Sequence, residues 1–177
     1  MEAKDSKPRA RRAAKVERAA TGLFDGYSKT ERALGGYATL VGVFTFAVGS
    51  LLASTIAKPE DEVPELSWGD LLLLGIATHK LSRIATKDLV TSPFRAPFVK
   101  FKKSAGAGEV EEEARGAGLQ EAIGDLITCP YCMAPWIASA LVFAHTAAPR
   151  ATRLICSIFS LTAASDFLNQ LYARAKE

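Results

Sequence analysis

The stretch 34–57 holds no charged side chain, and Arg32 and Lys58 are the charges that bracket it. A helix needs about 20 predominantly apolar residues to cross the hydrocarbon core of a bilayer. The block is long enough, so it reads as a first transmembrane helix. A cleaved signal peptide is the competing reading, because Thr55-Ile56-Ala57 places small residues where a cleavage site would need them. The long polar lead before the block and the further apolar blocks after it argue for a retained span.

Three more blocks follow. The second, 68–84, opens on Trp68, a residue suited to a membrane interface, and its far end is charged. The third covers about 133–148 and the fourth about 154–172, both near the lower length limit for a span. Pro149, Arg150 and Arg153 mark the turn between them. Hydrophobic residues make up 49% of the 177-residue chain, an ordinary share, so their concentration into blocks carries the argument. The expected fold is all-α: a polytopic membrane helical bundle of three to four spans with an interfacial amphipathic segment.

The segments outside the blocks are polar. Residues 1–33 form a basic, Ala-rich stretch led by Lys4, Lys7, Arg9, Arg11, Arg12, Lys15 and Arg18, expected to be a largely disordered cytoplasmic tail. An acidic loop with Glu60, Asp61, Glu62 and Glu65 follows the first block, with Pro59 and Pro64 opposing helix. A second polar region, 88–128, reads as a cytoplasmic loop within the membrane domain 68–172. In 91–103, Phe94, Phe98 and Phe101 alternate with Arg95, Lys100, Lys102 and Lys103, which suits a segment in the headgroup region with its cations reaching outwards. The Gly- and Glu-rich 104–118 reads as a flexible loop. Leu119–Thr128 reads as a short amphipathic helix, with Leu119, Ile123 and Leu126 on one face and Glu121 and Asp125 on another.

Lys and Arg counts set the orientation. The first 34 residues carry nine, the 58–68 loop one, 80–128 eight, the 149–153 turn two and the C-terminal end two. This favours four spans with both termini in the cytoplasm, although a re-entrant second block would change everything after it. Formal charge is only +3, too small to point to nucleic acid as a partner. The partners expected are the lipid bilayer and a protein or a second copy of the chain.

The sharpest local signal is Thr128-Cys129-Pro130-Tyr131-Cys132. Two intervening residues let both sulfurs meet, as a disulfide or on one metal ion. A helix N-terminus beside them would favour thiolate over thiol. Pro130 fits a first-turn position and so does Pro135, so the helix start stays open, and a start at Pro135 would leave the cysteines in a turn. Glutaredoxins share these four letters, but their fold puts the motif in a βαβ context that is missing here. Three readings compete: a reversible dithiol, a metal site and plain packing. Zinc is the metal such a site would take, with Cys129, Cys132 and His79 as ligands, and two cysteines make only half of it. Cys156 falls near the opposite face and reads as packing.

Ionisable groups at membrane depth are costly and are usually paired or functional. His79, Lys80, Arg83, Lys87 and Asp88 lie in or beside the second block, and Asp166, Asn169 and Gln170 in the fourth. Arg83 with Asp88, or with Asp166, is the sensible pair. Against this, Lys80, Arg83 and Lys87 can snorkel to the surface, and a helical histidine is more often hydrogen-bonded structure than a ligand. His145 enters no motif. No HExxH, Walker loop, nucleophile elbow or dinucleotide fingerprint is present, so enzymatic chemistry would have to come from the cysteine pair.

Taken in order, Thr78-His79-Lys80-Leu81-Ser82-Arg83, Lys87-Asp88, Pro93-Phe94-Arg95-Ala96-Pro97-Phe98, Arg115-Gly116-Ala117-Gly118-Leu119, Gly124-Asp125-Leu126, the Cys-Pro-Tyr-Cys motif and Trp136 form a recognisable set. From Trp68 to about Tyr172 the chain resembles a family of small bacterial integral-membrane proteins that carry a domain of unknown function. The family pattern has a glutamate where Asp125 stands and a glycine near Ala134-Pro135. The resemblance implies a multi-pass protein of the bacterial inner (cytoplasmic) membrane and a shared role for Arg83, Asp88, Arg95 and the cysteines. It supplies no reaction. The leading expectation is a structural or interaction component with a redox-sensitive or metal-binding cysteine element. A membrane thiol-disulfide oxidoreductase, with Cys129 attacking and Cys132 resolving, is the alternative. A transporter or channel subunit using His79, Arg83 and Asp166 is a weaker one.

Overall fold

The computed structural model describes residues 24, 27, 28, 32–59 and 63–176. Most of the basic 1–33 stretch and the acidic residues at 60–62 lie outside them. Among the described residues the elements are helices α1 (Leu34–Ile56), α2 (Trp68–Lys87) and α3 (Ser92–Arg95), strands β1 (Val99–Gly106) and β2 (Glu109–Ala114), and helices α4 (Leu119–Thr128), α5 (Pro130–Ala147) and α6 (Pro149–Arg174). A 3-10 turn, Leu89–Thr91, links α2 to α3.

Helix α1 coincides with the uncharged run and stops at Lys58-Pro59, where a charge and a proline end it. A capping box starts α2: the Ser67 hydroxyl accepts the Asp70 N–H at 3.2 Å, and the Asp70 carboxylate accepts the Ser67 N–H at 3.1 Å. Helix α2 packs against α5 and α6. Leu74, Ala77, Leu141 and Cys156 form the buried centre of this bundle, flanked by Leu73, Ile137 and Phe159. The packing reading of Cys156 agrees with its full burial there.

Helix α1 stands to one side and packs on α4 and α5. Close approach explains how. A Cβ at Gly36 would lie 2.7 Å from the Gly118 carbonyl oxygen and 2.7 Å from Ala122 Cβ. Higher up, the Phe44 and Trp136 rings meet with centroids 5.0 Å apart, tilted at 60°.

Helices α1 and α6 are each long and apolar enough to cross a membrane, and a third crossing is reached by taking α4 and α5 together across their 84° bend. Helix α2, with its charged far half, does not meet that description. Among the described residues the span-length helices are therefore two, or three crossings with the bent pair, where three to four spans were expected.

The all-α expectation needs correction at 91–118. Strands β1 and β2 pair antiparallel, from Val99 opposite Ala114 to Gly106 opposite Glu109. Ala107 and Gly108 close the hairpin, both at positive φ (49° and 78°), the requirement of a tight two-residue turn. The flexible-loop reading of 104–118 does not describe this structure, and 91–103 takes up the end of the 3-10 turn, α3 and the first half of β1. Lys102 lies 3.3 Å from Glu113 and Lys103 3.5 Å from Glu111 across the strands, so the cations that read as lipid-facing are matched by carboxylates. The hairpin escaped the sequence reading because β2 is almost all acidic and shows no apolar alternation beyond Val110.

Candidate functional site

Three clusters gather the polar and reactive residues. The first is built on Arg95, the last residue of α3, whose side chain is 2% exposed. Its Nε donates to Glu112 of β2 at 2.5 Å. Nη1 donates to the Ala85 carbonyl at 3.0 Å and to the Thr91 hydroxyl. Nη2 donates to the Asp88 carbonyl at 2.9 Å and the Ser92 hydroxyl at 3.1 Å. All five guanidinium N–H groups are thereby occupied. Glu112 is itself 4% exposed, so this is a buried, hydrogen-bonded ion pair that ties the hairpin to the end of α2. Asp88 contributes here through its backbone.

The second cluster lines an open, polar cleft of about 730 Å³ between α2, α6 and the hairpin turn. Arg83 meets Glu109, with Nε at 3.0 Å and Nη2 at 2.7 and 2.6 Å from the carboxylate oxygens. Lys80 reaches Asp166 at 2.7 Å. The partner of Arg83 is thus Glu109, on a strand the sequence did not reveal, in place of Asp88 or Asp166. His79 is exposed on the rim of this cleft. No group of three His, Cys, Asp or Glu side chains suited to a metal ion is found among the described residues, and His79 and Cys132 line different cavities.

The cysteines form the third. Helix α5 begins at Pro130, with Cys129 as its N-cap and Pro135 inside the helix. This answers the open question of the helix start: both cysteines sit at the N-terminus of α5, at the sharp bend from α4. The Cys129 sulfur accepts the Cys132 N–H at 3.3 Å and lies 2.7 Å from the Cys132 sulfur, both thiols being free. Cys132 is the more exposed of the two and Cys129 half-buried. The exposure expected from the sequence, with the first cysteine the more accessible, is reversed.

Cys132 also lines an apolar groove of about 450 Å³ between α1, α4 and α5. Phe44 and Trp136 form one part of its wall. At the end near the helix bend, the Tyr37 hydroxyl donates to the Asp125 carboxylate. No local signal hints at this pair, which joins residues 88 positions apart.

Two further groups at the far end of the bundle were missed. Arg153 at the start of α6 holds Asp70 through Nε at 2.6 Å and Nη2 at 2.9 Å. The Ser67-x-x-Asp70 spacing was the signal that could have found Asp70 as a capping residue. His145 is fully buried near the end of α5, and neither ring nitrogen has a hydrogen-bond partner among the described residues.

The described residues form a mostly helical structure with two span-length helices, a β-hairpin clamped by a buried ion pair, and a free dithiol at a helix start. The chain belongs to the family described as protein of unknown function (DUF1360), whose model matches residues 73–172. It is also similar to the Sporulation protein YjcA of Bacillus subtilis (strain 168), at 24% identity over 107 residues covering 59% of this chain and 91% of that protein. No solved structure matches the chain. The family match takes in α2 from Leu73 onwards, the hairpin and the cysteine pair, and excludes α1.

Proposed function

We propose that this protein is a small multi-pass component of a bacterial inner membrane whose Cys129–Cys132 pair is a reversible dithiol, opening and closing as a redox-sensitive element of an interaction protein. The observation that carries the reading is the 2.7 Å between the two sulfurs. On one tetrahedral zinc, with Zn–S near 2.3 Å, two sulfurs stand about 3.8 Å apart. The two free sulfurs are in contact, as a reversible dithiol requires, and among the described residues no group of three His, Cys, Asp or Glu is placed to hold a metal ion. The lipid bilayer is the first partner: exposed Val41, Phe46 and Ile56 on α1, and Leu154, Ile158 and Leu161 on α6, give these helices apolar outer surfaces. With α2 also crossing, the Lys and Arg counts put the dithiol on the cytoplasmic side.

A thiol-disulfide oxidoreductase is the second reading, favoured by the exposure of Cys132. In it Cys132 meets the substrate and Cys129 resolves the mixed disulfide. A transporter role would rest on the polar cleft at His79, Arg83 and Asp166, whose charged groups are matched within the protein, and it stands behind the other two. The relative's name supplies no chemistry, so the reading rests on the cysteines.

Differential alkylation of the thiols in intact cells, read by mass spectrometry, tests it. Cycling of Cys129 and Cys132 between thiol and disulfide under oxidant and reductant is the expected result. A pair that stays reduced under oxidant refutes the dithiol reading. In Cys129→Ser, accumulation of mixed disulfides on Cys132 would promote the oxidoreductase reading over the sensor.

A further inference from the structure

The Arg95 clamp uses Asp88 only through its backbone carbonyl and leaves the carboxylate over. Asp88 is half-buried and lines the open cleft between α2, α6 and the hairpin turn. It stands opposite Glu109 in an isolated antiparallel bridge, outside the hairpin's own ladder. Directly opposed residues carry their Cβ atoms about 5 Å apart on one face, where like charges repel. Glu109 is matched by Arg83, which meets it through Nε and Nη2, and Lys80 is taken by Asp166. Among the described residues Asp88 has no cation within salt-bridge distance, and its carboxylate accepts no hydrogen bond. His79 cannot supply the charge, since it lies nine residues back, about 13 Å along the helix. The described lining is therefore one positive charge short.

The form of that deficit selects an occupant. No group of three His, Cys, Asp or Glu among the described residues is suited to a metal ion. The space, about 730 Å³, is that of a small organic molecule and far exceeds a bare monovalent ion. Val90 and Phe167 give part of the wall an exposed apolar surface. Asn169 and Gln170 bring amide oxygens that can accept N–H groups. A zwitterion would bring an anion as well, and both basic side chains of the lining are already paired.

We infer that the cleft binds a small, soluble organic monocation, a primary amine with a short apolar body, whose ammonium group lies against Asp88 beside the Arg83–Glu109 pair. This stands independently of the dithiol.

The test uses the full chain in phosphatidylcholine nanodiscs at low salt and pH 7, with butylamine as probe and titration calorimetry as readout. Butylamine should bind saturably. Butanol and butyrate, an uncharged and an anionic body of similar size, should bind at least tenfold more weakly. Asp88→Asn keeps the backbone carbonyl that Arg95 uses; it should weaken butylamine at least tenfold and leave the denaturation midpoint unchanged. Nanodiscs of phosphatidylethanolamine should not alter the affinity, because that headgroup brings its own phosphate; displacement by the lipid would overturn the assignment to a soluble amine. Butanol binding as tightly as butylamine would make the cleft merely apolar, and equal competition by potassium ions would make it a plain cation site. Either result overturns the proposal, as does parent-like binding by Asp88→Asn or no binding by the parent. The comparisons on the parent chain hold even where the variant folds poorly.

Discussion

Two short motifs, Pro93–Phe98 and Cys129–Cys132, look equally promising as sequence, yet the structure gives them opposite characters. Arg95 is buried and every one of its donors is met by Glu112, Ala85, Thr91, Asp88 or Ser92. Nothing on it is left for a ligand. Cys129 and Cys132 are free, the first half-buried and the second exposed, and Cys132 borders a groove. A charged residue at a family motif is therefore not by itself a site. What separates architecture from chemistry is whether the side chain's bonding capacity is already used inside the protein.

The contrast can be broken most severely at Arg95. Arg95→Leu leaves Glu112 buried without its cation and should cost about 3–5 kcal/mol, read by chemical denaturation of the purified protein in micelles. Arg95→Lys should recover only part of this, because an ammonium offers three donors where five are used. Near-normal stability in both variants would mean that the clamp is not structural. Next comes Gly124, where the hairpin seats on α4. A Cβ there would lie 2.6 Å from the Phe98 carbonyl oxygen and 2.8 Å from Ala114 Cβ. Gly124→Ala should cost about 1–3 kcal/mol. By comparison, Gly75→Ala in α2 meets nothing within 4 Å and should not destabilise.

Smaller still is Lys102→Ala, which removes an exposed cross-strand pair with Glu113. It should change the denaturation midpoint by less than about 1 kcal/mol. The smallest stability effect belongs to the cysteines. Cys132→Ser should stay within about 0.5 kcal/mol of the parent under reducing conditions, while eliminating any oxidant-dependent shift on non-reducing gels. A large loss of stability in Cys132→Ser would make the pair a packing element like Cys156, and the comparison with Arg95 would collapse.

Between these extremes lie the far-end groups. Asp70 and Arg153 bridge the starts of α2 and α6, fixing one end of the bundle much as Arg95 fixes the other. His145 differs from both clusters, being fully enclosed with both ring nitrogens unpartnered among the described residues, and an imidazole in such a place can serve as packing.

Much of the helical frame was legible because its signals are local. An uncharged run fixes α1, Pro and charge punctuation ends it, and Leu119–Thr128 shows helical periodicity over its own ten residues. The Cys-Pro-Tyr-Cys spacing likewise brings two sulfurs together by covalent proximity alone. The hairpin was illegible for a matching reason. Lys102 and Lys103 read as a basic patch, and Glu111 and Glu113 as a polar loop, until strand pairing sets them opposite one another.

By itself, then, the sequence determined where the apolar helices run and that two thiols stand side by side, since both follow from neighbours along the chain. Only the tertiary structure decided the rest. Arg83 takes Glu109 across 26 residues, Arg153 takes Asp70 across 83 and Tyr37 takes Asp125 across 88. It also decided that Cys132 is the accessible thiol and that a groove adjoins it. The physical reason is that a charge or thiol is satisfied by whatever the fold brings within about 3 Å, and a hydrogen bond carries no record of chain separation.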